Sequence, residues 1–142
     1  MMMSPMFAGH ATAYGVAAHD EDVIGHGAFM DLIRQGFRPK MLMMHEGSEI
    51  GDWLEFREDD IGLLAIGRLD LKSAGGRQAS AKIETGEFTG LSLGAPLIGE
   101  IRQIAGTNGR FCRRVLAVPE ISLVTEPANP MARILSFTAG TA

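Results

Sequence analysis

One cysteine, one tryptophan, one tyrosine and three lysines are all that this chain of 142 residues contains of those types. The lone Cys112 excludes an internal disulfide and fits an intracellular setting. Its simplest reading is a small buried apolar residue. A basic surplus is also missing: 13 Lys and Arg stand against 17 Asp and Glu, a net charge of -4. That balance excludes a general nucleic-acid binder, which needs cations to neutralise phosphates. The one local basic cluster is Arg110, Arg113 and Arg114. No apolar run is long enough to span a membrane. The opening Met1-Met2-Met3-Ser4-Pro5-Met6 carries no positive charge and leads into no signal-peptide core, so a soluble, non-exported protein is expected. The length suits one domain with a real core. It is short of the roughly 200 residues expected for a two-barrel chymotrypsin fold or a full α/β-hydrolase. No repeat or low-complexity linker appears, and only residues 1–6 and 136–142 are expected to be flexible.

What is abundant is glycine, 18 residues spread along the chain. Such punctuation predicts many short strands and turns rather than a helical bundle. Strands are expected at Phe7–Val16, Lys40–Glu46, Glu49–Phe56, Leu63–Leu71, Phe88–Ala95, Leu97–Ala105, Arg110–Val118 and Glu120–Val124. Short helices are expected near Ala28–Gln35, closed by Gly36, and from about Gly76 to Thr85-Gly86. Gly106-Thr107-Asn108-Gly109 reads as a hairpin turn through its Asn-Gly pair. Arg57-Glu58-Asp59-Asp60 reads as a hairpin tip kept soluble by charge. Thr125-Glu126-Pro127-Ala128-Asn129-Pro130 must be a turn, since two prolines forbid continued pairing. The fold class is α+β, mainly β: an antiparallel barrel or curled sheet flanked by a few helices.

Chemistry is suggested first by Gly90-Leu91-Ser92-Leu93-Gly94. A serine hydroxyl needs a base within reach and donors for the oxyanion that follows attack. Alone, G-x-S-x-G is met as readily by an ordinary strand end or bulge. The nucleophile elbow of α/β-hydrolases is excluded, because its histidine follows the serine, whereas His10, His19, His26 and His45 all precede Ser92. Lys40, Lys72 and Lys82 also lie upstream, so a serine with a downstream lysine is excluded. The carboxylates after Ser92 are Glu100, Glu120 and Glu126. His45 ends the apolar run Lys40-Met41-Leu42-Met43-Met44, where a strand can deliver a side chain into a cleft. Its alternative reading is a histidine capping a core strand. His45-Glu46 lacks the second histidine of a zinc-protease helix. His19-Asp20-Glu21-Asp22 mixes potential metal ligands, but consecutive loop residues point apart, which favours a solvated turn. No metal or other cofactor is expected.

Four blocks in order carry a family resemblance: Val23-Ile24-Gly25-His26-Gly27-Ala28-Phe29, Met41-Leu42-Met43-Met44-His45, Gly90-Leu91-Ser92-Leu93-Gly94 and Glu120-Ile121-Ser122-Leu123-Val124-Thr125-Glu126-Pro127-Ala128-Asn129-Pro130. Together they resemble the prohead proteases of tailed bacteriophages and phage-derived particles, over nearly the whole chain. His26 stands where that pattern has proline, which touches a turn rather than the chemistry. The family is similar in fold to the herpesvirus assembly protease, a β-barrel flanked by helices. The resemblance implies a serine endopeptidase that cleaves scaffold and major capsid protein inside the procapsid, in the host cytoplasm. It implies His45 as general base, Ser92 as nucleophile and Glu120 as third member. The herpesvirus relatives have histidine in that third place, so a His45–Ser92 dyad with Glu120 structural stays open, with Glu126 a rival carboxylate. Backbone N–H groups near Ser92 and Gly94 are the expected oxyanion donors. A homodimer is suggested by the herpesvirus likeness, and neither nucleic acid nor membrane is expected as a partner. The absence of a long helical extension suggests a dedicated protease, and the small uncharged tail from Ser136 to Ala142 is expected to be open to self-cleavage. A non-catalytic assembly module on the same barrel, or an unrelated small esterase, are the other readings.

Overall fold

The computed structural model describes residues 3–140. Ten strands and two helices follow in chain order: β1 Met6–Ala13, β2 Val23–Ile24, α1 Met30–Arg34, β3 Lys40–Met43, β4 Glu46–Glu58, β5 Gly62–Leu69, α2 Ala74–Glu84, β6 Gly90–Leu93, β7 Ile98–Gln103, β8 Arg110–Ala117, β9 Glu120–Val124 and β10 Ile134–Thr138. Seven strands form one sheet in the order β10-β1-β5-β4-β3-β9-β6, and three form a second, β2-β8-β7. β1 also lies against β6, so the large sheet curls back on itself into a nearly closed barrel. The expected mainly-β barrel with few helices is thus the observed fold. Two pairs depart from the antiparallel rule: β3 with β9, and β2 with β8, run parallel.

Local chemistry explains the elements. β1, β5 and β4 form an antiparallel set whose inward residues Phe7, Leu63, Ala65, Leu69, Ile50 and Trp53 are almost fully buried. The scarce aromatics concentrate there: Phe7 meets Trp53 edge-on at 5.5 Å and Phe37 stacks on Phe56 at 4.5 Å. Such pairs add about 1 kcal/mol each beyond their buried area. α2 begins at Ala74, two residues before the expected Gly76, because Ser73 caps it by accepting the Gly76 N–H at 2.9 Å. Gly86, at φ +82°, closes it.

Three expectations need correction. The tail from Ser136 to Thr138 is not a loose end: it is paired in β10, where Phe7 stands opposite Phe137 and Ala8 opposite Ser136. Its composition hid this, because an edge strand needs few apolar side chains once its backbone is paired. Met6 likewise lies in β1, while residues 1–2 and 141–142 fall outside the described residues. The acidic tip is more than a solvated turn. Glu58 accepts the Tyr14 hydroxyl at 2.6 Å, and Asp59 meets buried His10 at 2.8 Å and takes the N–H groups of Ile61 and Gly62. Burial, and then the Glu58 carboxylate beside it, push the Tyr14 phenol far above its usual range. The hairpin between β7 and β8 forms as expected, but Gly106 rather than the Asn-Gly pair takes the positive φ, +78°. Asn108 instead donates its N–H to Glu21 Oε2 at 3.1 Å.

Candidate active site

β9 is the element on which the site is assembled. Residues two apart on a strand share a face, so Glu120 and Ser122 project together. Antiparallel β6 sets Ser92 directly opposite Ser122, and opposite residues share a face as well. On the other side, parallel β3 runs beside β9 and ends at Met43, opposite Leu123. The chain then reverses through Met44 and His45, which form a two-residue turn before Glu46 pairs back with Met43. Both turn residues have positive φ, +50° and +65°, as a primed hairpin turn demands. The turn folds over β9: Met44 donates its N–H to the Leu123 carbonyl at 3.0 Å, and His45 donates its own to Ser122 Oγ at 3.0 Å.

The imidazole reaches Glu120, with Nδ1 2.5 Å from Oε1. An ionised carboxylate only accepts, so in a contact with one Nδ1 is the donor, and a neutral imidazole held that way has its lone pair on Nε2. The second carboxylate oxygen, Oε2, accepts from the Ser122 hydroxyl at 2.6 Å. The imidazole is 41% exposed and the Glu120 carboxylate 10%. A half-open imidazole backed by a buried carboxylate is thereby built from β9 and the turn between β3 and β4. Glu126 lies in the turn after β9 and has no bond to His45; the carboxylate at the imidazole is Glu120.

Ser92 lines a cleft of about 360 Å³ together with Leu93, Gly94, Pro96, Arg110 and Asn129. Among the described residues its hydroxyl makes no hydrogen bond, neither to His45 nor elsewhere. Open catalytic hydrogen bonds are often long before substrate arrives. Ser122, its cross-strand neighbour, has no exposed surface and its proton is committed to Glu120, so Ser92 is the serine that faces the cleft.

Both glycines of the serine motif have packing reasons. A Cβ on Gly94 would overlap the Glu120 carboxylate, and one on Gly90 would overlap the Ala132 carbonyl and the Pro127 ring. The Gly94 N–H is bonded to the Glu120 carbonyl at 2.8 Å, so it is not free as an oxyanion donor; that expectation is corrected. The sequence reading also passed over Ser122 and Asn129. Ser122 was signalled by its place two residues after Glu120 in one strand. Asn129 is buried in the proline-rich turn, where its Nδ2 donates to the Ala13 carbonyl at 3.0 Å and its Oδ1 accepts from the Met131 N–H at 3.1 Å. It thereby fixes one wall of the cleft. His26 sits at its turn with its ring 5.5 Å from Tyr14. Cys112 is buried and burial pushes its thiol up, in keeping with its apolar reading.

The opposite rim is tied by charge. Asp22 accepts the Arg110 backbone N–H and its guanidinium, both at 2.8 Å. The loop from His19 to Asp22 is therefore anchored to β8 rather than merely solvated. The Arg110 hydrogen bonds hold the Asp22 carboxyl below the usual carboxylate range, against the pull of burial. A carboxyl depressed in the folded state adds stability above its unfolded value and loses it as pH falls through the folded one. Asp22→Asn is expected to cost about 1 kcal/mol at pH 7. Thermal melts should show that deficit shrinking below about pH 4; an equal deficit at pH 7 and pH 3 would contradict the assignment.

Comparison with known proteins bears on the family and the fold. The Prohead protease of Enterobacteria phage HK97 is 32% identical over 135 residues, which cover 93% of this chain and 60% of that protein. A crystal structure of KSHV protease in complex with a hexapeptide phosphonate inhibitor superposes with a TM-score of 0.57 at 13% identity, covering 96% of this chain and 65% of that one. At that identity the likeness is one of fold. The chain thus spans about three fifths of the first relative's length and two thirds, at most, of the second's. The family model described as caudovirus prohead serine protease matches residues 2–140, and the chain belongs to that family.

Proposed function

We propose that this chain is a serine endopeptidase of phage-type head maturation, with Ser92 as nucleophile, His45 as general base and Glu120 as the residue that orients His45. The observation that carries the reading is the Nδ1 to Oε1 contact of 2.5 Å, made at β9, whose Ser122 stands directly opposite Ser92 in the sheet. In the first step Ser92 Oγ attacks the scissile carbonyl carbon and its proton passes to His45 Nε2. The imidazolium, paired through Nδ1 with Glu120, then gives that proton to the leaving amine, and an acyl-enzyme on Ser92 remains for water to release. The triad is favoured over the dyad because Glu120 is buried and held from two sides.

The substrates proposed are the scaffold and major capsid proteins, cut inside the assembling procapsid in the host cytoplasm, with a homodimer as the working unit. Self-cleavage is the weaker part of this reading. A cut within Ser136–Thr138 requires β10 to leave β1, so a tail that the sequence offers as loose is not a ready substrate.

A fluorophosphonate tests the core of the proposal. One adduct per chain, located at Ser92 by peptide mass and absent from His45→Ala, is expected. A folded protein that takes no adduct at Ser92 would overturn it.

A further inference from the structure

Ser122 has no exposed surface, and a hydroxyl buried that completely must place both its proton and its lone pairs. Its proton goes to Glu120 Oε2 at 2.6 Å and its oxygen receives the His45 N–H at 3.0 Å. One small group therefore holds the carboxylate and the backbone of the histidine that the carboxylate contacts. The second tie matters because of where His45 sits. A turn with two positive φ angles normally uses Asn-Gly, and here Met44 and His45 adopt φ +50° and +65° with full side chains. Left-handed conformations of non-glycine residues persist where the surroundings over-determine them. Two bonds to β9 do so here, one to the Leu123 carbonyl and one to Ser122 Oγ.

We propose that Ser122 is a positioning residue for the chemistry at Ser92: it locks Glu120 and the His45 turn together, so that the imidazole stays on Oε1 with Nε2 free. This rests on the Ser92–His45–Glu120 reading above. Ser122 touches no substrate and acts only through Glu120 and His45. Without its hydroxyl, Oε2 loses its donor and the His45 N–H loses its acceptor, which leaves the Nδ1 to Oε1 contact and the Met44 N–H bond to the Leu123 carbonyl.

Ser122→Ala removes one buried oxygen and leaves the strand residue otherwise unchanged. On a peptide substrate, kcat is expected to fall about 10- to 100-fold, by analogy with the loss when the hydrogen-bond partner of a metal-bound histidine is removed. KM should stay within about twofold, since ground-state binding is untouched. In a Glu120→Gln background the same change should cost less than about threefold, because residues acting through one another are not additive. The low-field proton resonance of His45 Nδ1–H, measured in the resting protein, should shift or broaden in Ser122→Ala. Ser122→Cys, with a weaker donor in the same place, should fall between Ser and Ala and serves if the alanine protein does not fold. Wild-type kcat together with an unmoved resonance in either variant overturns the proposal, and so does an equal loss with and without Glu120. The resonance needs no turnover, so it reports on Ser122 even if Ser92 fails to label, an outcome that counts against the protease reading instead.

Discussion

Ser92→Ala should abolish peptide cleavage while leaving the fold and its melting temperature essentially unchanged. The substitution removes one oxygen that is bonded to no other described residue, from a strand position that alanine also fits, so little stability depends on it. On the proposed mechanism activity depends on it entirely, because no other hydroxyl lining the cleft is placed to take over. Ser122 is opposite in the sheet but its proton is held by Glu120 and it has no exposed surface. Thr12, which also lines the cleft, is buried and accepts from Asn129 at 3.4 Å. A loss of at least about 10⁴-fold in kcat is therefore expected, the scale found when a serine-protease nucleophile is removed. In an assembly experiment, shells should form with scaffold and capsid protein uncut. Processing at the wild-type rate by purified Ser92→Ala would remove Ser92 from the mechanism.

Much of this site was legible before the structure, and the reason is that its parts lie in short blocks with strong local constraints. The apolar run ending at His45, the glycine-flanked Ser92 and the strand from Glu120 each read as a strand or strand end. The structure places them on β3 with the turn that follows it, β6 and β9, and these three strands are adjacent in one sheet. Strand order itself was not legible. Nothing in the local pattern says that β3 runs parallel to β9, since parallel and antiparallel neighbours bury the same residue types, and the partner lies some 80 positions away in the chain. Turn geometry failed for a related reason. Met44-His45 has no glycine or asparagine, so sequence reads an extended strand through His45; the positive φ values are imposed by bonds to β9 that only the tertiary fold supplies. β10 escaped notice because an edge strand half in solvent needs no alternating apolar pattern.

The glycine motif carries a further lesson about physical cause. Read as catalytic, its glycines suggest room for an oxyanion. In the structure Gly94 makes room for the Glu120 carboxylate, and Gly90 makes room for the Pro127 ring and the Ala132 carbonyl. The motif thus joins two of the four sequence blocks: Ser92 needs its glycines because the Glu120 strand and the Pro127 turn pack directly against β6. Block order along the chain, rather than the serine pentapeptide alone, was informative because these segments are parts of one packed unit.

Glu120→Gln is the second large expected effect, and it separates a triad from a dyad. Glutamine has nearly the shape of glutamate, so it fits against Gly94 and beside Ser122 without a new overlap. Its amide oxygen can still accept the His45 Nδ1–H, and its nitrogen can donate to Ser122 Oγ. What is lost is the negative charge, at 2.5 Å from the imidazole, that favours the imidazolium formed as Ser92 gives up its proton. If the amide turns the other way, its N–H faces Nδ1 and drives the proton to Nε2, the atom that must accept from Ser92. Either arrangement lowers kcat by on the order of 10²- to 10⁴-fold. Stability should not follow activity. Relief of the desolvated charge is offset by the Ser122 hydroxyl, which loses its carboxylate acceptor, so the protein should stay folded with a melting temperature lowered by only a few degrees. Kinetics on a capsid-derived peptide and thermal melts on the same preparations decide the matter. A folded Glu120→Gln protein that retains more than about a third of wild-type kcat would assign catalysis to His45 and Ser92 alone and reduce Glu120 to a structural support for the β3–β4 turn.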